Sequence, residues 1–140
     1  MKNLAFFEKT APRRDRWKRR NKYYWKDLEN FCVYLVPEHA SVLEVGCGTG
    51  DLLASLRTKN KTGIDFSPRM IEIAKKKYPQ GKFQVSDART SPFPENFFDK
   101  VYSISVLHHF PSRDFQLQYL KEANRSFVYL QALFCYNPFP

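Results

Sequence analysis

Three glycines stand within five residues in the stretch Val42-Leu43-Glu44-Val45-Gly46-Cys47-Gly48-Thr49-Gly50-Asp51, behind an apolar run that carries a carboxylate. Glycine admits backbone angles and close approaches that a side chain forbids. A strand that runs into such a loop turns sharply and offers its bare backbone to a small-molecule ligand. A dinucleotide loop reads G-x-G-x-x-G and would put its third glycine at 51. Here 51 is Asp, and a carboxylate at a helix start repels a pyrophosphate. No Gly-Lys-Ser/Thr run of a phosphate-binding P-loop is present. Glu44, just upstream, suits a ligand that carries positive charge.

The flanking pattern predicts alternating short strands and helices. Ser41 to Val45 reads as a strand, and Asp51 to Leu56 as a short helix with Leu52, Leu53 and Leu56 inward. Thr62 to Asp65 reads as a second strand. Ser67-Pro68 opens the next helix, with Ser67 as N-cap and proline at the first helical position. Met70, Ile73, Ala74 and Lys77 form its expected inner stripe. Lys82 to Ser86 and Asp99 to Ser105 read as strands three and four, separated by the turn-rich "ARTSPFPENFF". Such a chain builds a parallel sheet covered by helices, with ligands outside the strand carboxyl ends where strand order reverses. Glu44, Asp65 and Asp87 all fall on that edge. Asp65 lies 19 positions after Gly46, where an acid accepts both hydroxyls of a ribose. Asp87 is placed to accept an adenine amino group; the alternative is a solvated acid at a strand end.

The net charge of +9 belongs to one segment. Residues 1–26 hold ten Lys/Arg against Glu8 and Asp15, and the remainder is nearly balanced. "RRDRWKRRNKYYWK" interleaves cations with aromatics, a composition that binds phosphates by charge and bases by stacking. The other reading is the solvated face of an amphipathic helix over residues 1–37. Trp17, Tyr24, Leu28, Phe31 and Leu35 make its apolar stripe, while Arg13, Arg16, Arg20 and Lys22 face water. No apolar run approaches the roughly 20 residues of a membrane-spanning helix, and Phe6-Phe7 is too short for a signal-peptide core. A cytoplasmic location is expected. Cys32, Cys47 and Cys135 are odd in number and widely spaced, which fits free thiols and no metal cluster.

In order and spacing, "VLEVGCGTGD", "GIDFSPRMIEIAKKKYP" and "FQVSDARTSPFPENFFDKVYSISVLHHF" resemble the first four motifs of class I S-adenosylmethionine-dependent methyltransferases, over residues 41 to about 110. The resemblance implies a Rossmann-like α/β parallel sheet and S-adenosyl-L-methionine as cofactor. It assigns Glu44, Gly46, Cys47, Gly48 and Gly50 to the methionine end of the cofactor. It assigns Asp65 to the ribose with Phe66 beside the adenine, Asp87 to the adenine amine with Ala88 beside it, and Ser103 to the methionine flank facing the acceptor. His108 and His109 follow the fourth strand where an acceptor approaches, and either is a candidate proton acceptor; the alternative is a packing or helix-start role. Tyr102 and Tyr119 are weaker candidates.

The family's sheet has seven strands, and here the pattern covers about four. "YLKEANR" resembles the helix before the fifth strand, but no glycine follows position 81, and the apolar tail of residues 126–140 replaces the expected turn. The C-terminal strands are therefore expected to be missing or replaced, with 38–125 as the cofactor-binding half. The tail adds at most one strand or a helix. An exposed sheet edge favours self-association. Three functions follow: transfer of a methyl group to an unidentified small-molecule or macromolecular acceptor, non-catalytic cofactor binding, or a basic RNA-binding and RNA-methylating module.

Overall fold

A computed structural model describes residues 4–126 and the backbone of residues 134–135. Its centre is β1 (Val42–Val45), all four residues buried. On one side β1 pairs in parallel with β2 (Lys61–Asp65), which pairs with β3 (Lys82–Val85). On the other side it pairs with β4 (Lys100–Ile104), again in parallel. A two-residue β5 (Phe134–Cys135) lies parallel to β4. The order β3-β2-β1-β4-β5 reverses direction between β1 and β4, which creates a crevice above the carboxyl end of β1. Among the described residues of the tail, β5 pairs with Ser103 and Ile104 at the end of β4.

Strands buried on both faces need apolar partners above and below. On one face Val42 and Tyr102 pack with Leu28 and Cys32 of α3 (Lys22–Leu35), Leu52 and Leu53 of α4 (Asp51–Ser55), and Ile71 and Ala74 of α5 (Pro68–Lys77). On the other, Leu43, Val45, Ile64 and Val101 pack with Phe98 and with Tyr119 of α6 (Arg113–Arg125). Each fully buried Leu or Phe contributes roughly 1.5–3 kcal/mol. Ser67 caps α5 as expected, its Oγ accepting from Met70 N at 3.2 Å. The inner stripe of α5 is shifted: Met70, Ile71 and Ala74 are buried, while Ile73 and Lys77 are half-buried.

The N-terminal segment departs most from expectation. In place of one helix over 1–37, residues 4–35 form α1 (Leu4–Thr10), a tight turn at Ala11–Arg13, α2 (Arg14–Arg20) and α3, bent at Asn21. The bend changes the buried face. Phe31 is exposed and Cys32 buried, whereas Arg13, Arg16, Arg20 and Lys22 do face solvent. Glu8 of α1 accepts from Ser67 Oγ at 2.5 Å and from Arg69 N at 3.2 Å, which docks α1 on the start of α5. Among the described residues no helix is long and apolar enough to cross a membrane. Cys32 and Cys47 are buried as thiols; the Cys135 side chain lies outside the described residues.

Candidate active site

The glycine loop leaves β1 with Gly46 and Cys47 amides donating to Ile64 O at 2.8 and 3.0 Å, so β2 fixes its start. Gly46 and Gly50 adopt φ of +76° and +83°, conformations costly for any other residue. Their Cα hydrogens face protein as well as ligand space. A Cβ on Gly46 would meet Val106 Cγ2 at 2.2 Å, and one on Gly50 would meet the Phe83 ring at 2.8 Å. The loop is bare partly so that β3 and the segment after β4 can close against it.

Above the loop opens a cavity of about 420 Å³, within the range of small-molecule sites. Its floor is the strand edge: Glu44 and Gly46 at the end of β1, Asp65 and Phe66 at the end of β2, Asp87 and Ala88 after β3, and Ile104 to Val106 at the end of β4. Its roof is the N-terminal segment, with Phe7, Arg14, Trp17 and Lys18 facing inward. Phe7 stands edge-on to Phe66 at 5.0 Å and to His109 at 5.1 Å, so α1 bridges the two walls.

Glu44 lies beside Tyr102 in the β1–β4 register. Burial pushes its carboxyl up to about 8, against the pull of the neighbouring Tyr102 hydroxyl and the positive charges of Lys18 and Arg14. Glu44 Oε2 and Tyr102 Oη each lack a hydrogen bond of normal geometry. A buried carboxylate oxygen without a donor is costly, and a cationic ligand in the cavity satisfies it. Asp65 accepts from Gly48 N through Oδ2 and from Ser67 N through Oδ1, both at 2.9 Å. Burial raises its affinity for a proton, against these two amide donors. Each of its oxygens keeps a lone pair. Asp87 is different. Arg89 grips both its oxygens, from Nη2 at 2.5 Å and Nε at 3.0 Å, and its backbone amide adds a bond at 2.9 Å. These bonds hold the Asp87 carboxyl below its ordinary range and occupy the oxygens expected to reach an adenine amine.

A family model described as a methyltransferase domain matches residues 42–127, more than half of the chain. The chain belongs to the class I S-adenosylmethionine-dependent methyltransferases. It is 37% identical over 84 residues to a 2-methyl-6-phytyl-1,4-hydroquinone methyltransferase of Synechocystis, covering 56% of this chain and 26% of that protein. It is 31% identical over 101 residues to a tRNA (carboxymethyluridine(34)-5-O)-methyltransferase of Xenopus tropicalis, covering 72% of this chain and 16% of that one. The chain thus spans well under a third of the length of these relatives. A SAM-dependent methyltransferase from Thermotoga maritima superposes with a TM-score of 0.76 at 24% identity, covering 89% of this chain and 56% of that one, a likeness of fold.

Within this methyltransferase domain, Glu44, Gly46, Cys47, Gly48, Asp65, Phe66, Asp87, Ala88, His108 and His109 all line the cavity. Gly50 does not; it forms the left-handed N-cap of α4 and packs on Phe83. Ser103 does not either. It is buried on the sheet face toward Tyr119, and the next residues, Ile104 to Val106, supply that wall. Tyr102 and Tyr119 belong to the two cores. The Cys47 thiol is pushed up by burial, then by Glu44 and Asp65, and packs against Gly63.

Three contributors lay outside the sequence reading: Lys18, Arg14 and Lys77. Lys18 Nζ bonds Thr49 Oγ1 at 3.0 Å and ion-pairs with Asp51. Lys77 reaches the same carboxylate at 2.5 Å and Asp15 at 2.9 Å. The sequence signal was there in the acid at 51, which has no place at a phosphate and needs cations of its own.

Proposed function

We propose that the chain binds S-adenosylmethionine in the cavity over β1 and passes its methyl group to an acceptor that enters past His108 and His109. The carrying observation is Glu44, a carboxyl with an unpaired oxygen buried at the floor beside a bare glycine loop. A ligand with positive charge at sulfur and ammonium satisfies it, and a pyrophosphate ligand does not. In this reading Asp65, oriented by two backbone amides, accepts from a ribose, and Phe66 packs on an adenine face. When bound, the cofactor supplies a methyl group already activated by its sulfonium, so the protein's part is alignment and exclusion of water. The roof of Phe7, Trp17 and Trp25 supports that exclusion. In this reading His108 and His109, cavity-lining residues with rings 3.9 Å apart, take the proton from the acceptor.

Methyl transfer from labelled cofactor to a panel of phenolic, amine and RNA acceptors tests the reading. Label in an acceptor, reduced when both histidines become Gln, supports it. Cofactor binding without label in any acceptor supports the non-catalytic reading.

One observation favours RNA among the acceptors: Arg13, Arg16, Arg19, Arg20 and Lys22 are all exposed, beside a Tyr23 that is 78% exposed. RNA binding that weakens steeply with salt supports it; no binding at low salt rejects it.

A further inference from the structure

Three serine and threonine side chains line the cavity: Thr10, Ser86 and Ser105. Thr10 Oγ1 donates to Phe7 O at 3.3 Å, and Ser86 Oγ to Asp87 O at 3.4 Å. Ser105 Oγ has no hydrogen-bond partner among the described residues. Its backbone is unusual as well. Ser105 is left-handed at φ of +57°, and the other such non-glycine residue among those described is Asn96, at +53° in an exposed turn. Asparagine tolerates that conformation; serine adopts it at a cost, and only where its surroundings hold it there. Val106 packs over Gly46 at the end of β1, and His109 N donates to Val106 O at 2.9 Å to close the turn Leu107–His109.

This angle re-aims a side chain. Residues two apart on a strand share a face, so in a continued strand Ser105 would follow Ser103 into the packing beside Tyr119. The left-handed turn ends β4 at Ile104 and leaves Ser105 on the cavity wall that runs from Gly46 to His108 and His109.

We propose that Ser105 Oγ hydrogen-bonds the reacting atom of the methyl acceptor, donating to a hydroxyl oxygen or accepting from an amine N–H, and so aims its lone pair at the methyl group. This rests on the methyl-transfer reading above and deepens it. In that transfer the lone pair forms the bond to the methyl carbon, the carbon–sulfur pair stays on sulfur as a neutral thioether, and the acceptor's proton leaves to His108 or His109. A hydroxyl fixed on the wall acts by orientation. Its effect falls on the acceptor and leaves the cofactor's affinity alone.

Two variants separate the hydroxyl from its backbone. Ser105→Ala removes the hydroxyl and keeps the left-handed cost, and Ser105→Gly removes both. Catechol, tyramine and bulk transfer RNA serve as acceptors, with labelled cofactor. Each variant should lose about tenfold to a hundredfold in kcat/KM for the acceptor that the intact chain labels, with cofactor affinity unchanged in calorimetry. Without turnover, that same acceptor should bind the chain saturated with S-adenosylhomocysteine about tenfold more weakly in either variant. Ser105→Gly should also melt at a higher temperature than Ser105→Ala. Undiminished transfer by Ser105→Ala overturns the proposal, since a loss confined to Ser105→Gly belongs to the backbone. Cofactor affinity that falls as far as transfer does also overturns it. If the intact chain binds the cofactor and labels none of the three acceptors, the transfer reading itself falls, and the role of Ser105 falls with it.

Discussion

Lys18 of α2 pairs with Asp51, the residue after the last glycine of the loop, across 33 positions of chain. Lys77, Tyr78 Oη and Thr49 Oγ1 converge on the same carboxylate. Despite burial, which pushes it up, these partners hold the Asp51 carboxyl well below its ordinary range. The N-terminal segment is therefore fastened to the loop by buried charge as well as by apolar packing.

Removing one partner of a mostly buried pair leaves the other uncompensated, at a cost of about 3–5 kcal/mol. Lys18→Met should destabilise the chain by about 2–4 kcal/mol in urea unfolding, the lower end because Lys77 remains. The same network predicts acid sensitivity. Asp51 ionises at lower pH in the fold than in the unfolded chain, so its stabilisation is complete above the ordinary aspartate value of 3.8 and fades as pH falls below it. A Lys18→Met, Asp51→Asn double variant should show a shallower loss of stability below pH about 4 than the intact chain.

Glu44 predicts the opposite slope. It keeps its proton up to about pH 8 in the fold, against 4.5 for an ordinary glutamate. Between those values the folded chain binds more protons than the unfolded one, so stability falls as pH rises, by up to about 1.4 kcal/mol per unit. Melting curves at pH 5.5, 6.5 and 7.5 should show a decline that Glu44→Gln reduces. The variant should be the more stable protein at neutral pH, and Asp65 should account for the decline that remains.

Gly46→Ala should cost about 2–4 kcal/mol, combining a left-handed backbone with the 2.2 Å approach to Val106. The double variant Gly46→Ala, Val106→Ala should recover only the contact part. Full recovery would mean that the backbone angle carries no cost.

Much of this was legible in the sequence because the signals were local. The strand starts and ends from 41 to 105, the Ser67-Pro68 cap and the strand-end acids depend on neighbours a few residues away. Arg14 and Lys18 were not legible as site residues. On helical periodicity they belong to a solvated basic face, and only the bend at Asn21 and the docking of Glu8 on Ser67 turn them inward. Nor does anything local say that Arg89 folds back onto Asp87. Cys32 and Ile71 take the buried places expected of Phe31 and Ile73, because a bend or a small roll of a helix changes which neighbour is buried.

The central claim is that a buried acid at the end of β1 receives a cation. Calorimetry of S-adenosylmethionine binding at pH 7, in buffers of different ionisation enthalpy, tests it most directly. One cofactor should bind per chain with release of about one proton, because the ligand draws Glu44 into its charged form. Glu44→Gln should abolish the release and weaken binding by about 1.5–3 kcal/mol. Folded protein that gives no heat with the cofactor, or binding that Glu44→Gln leaves untouched, would contradict the account.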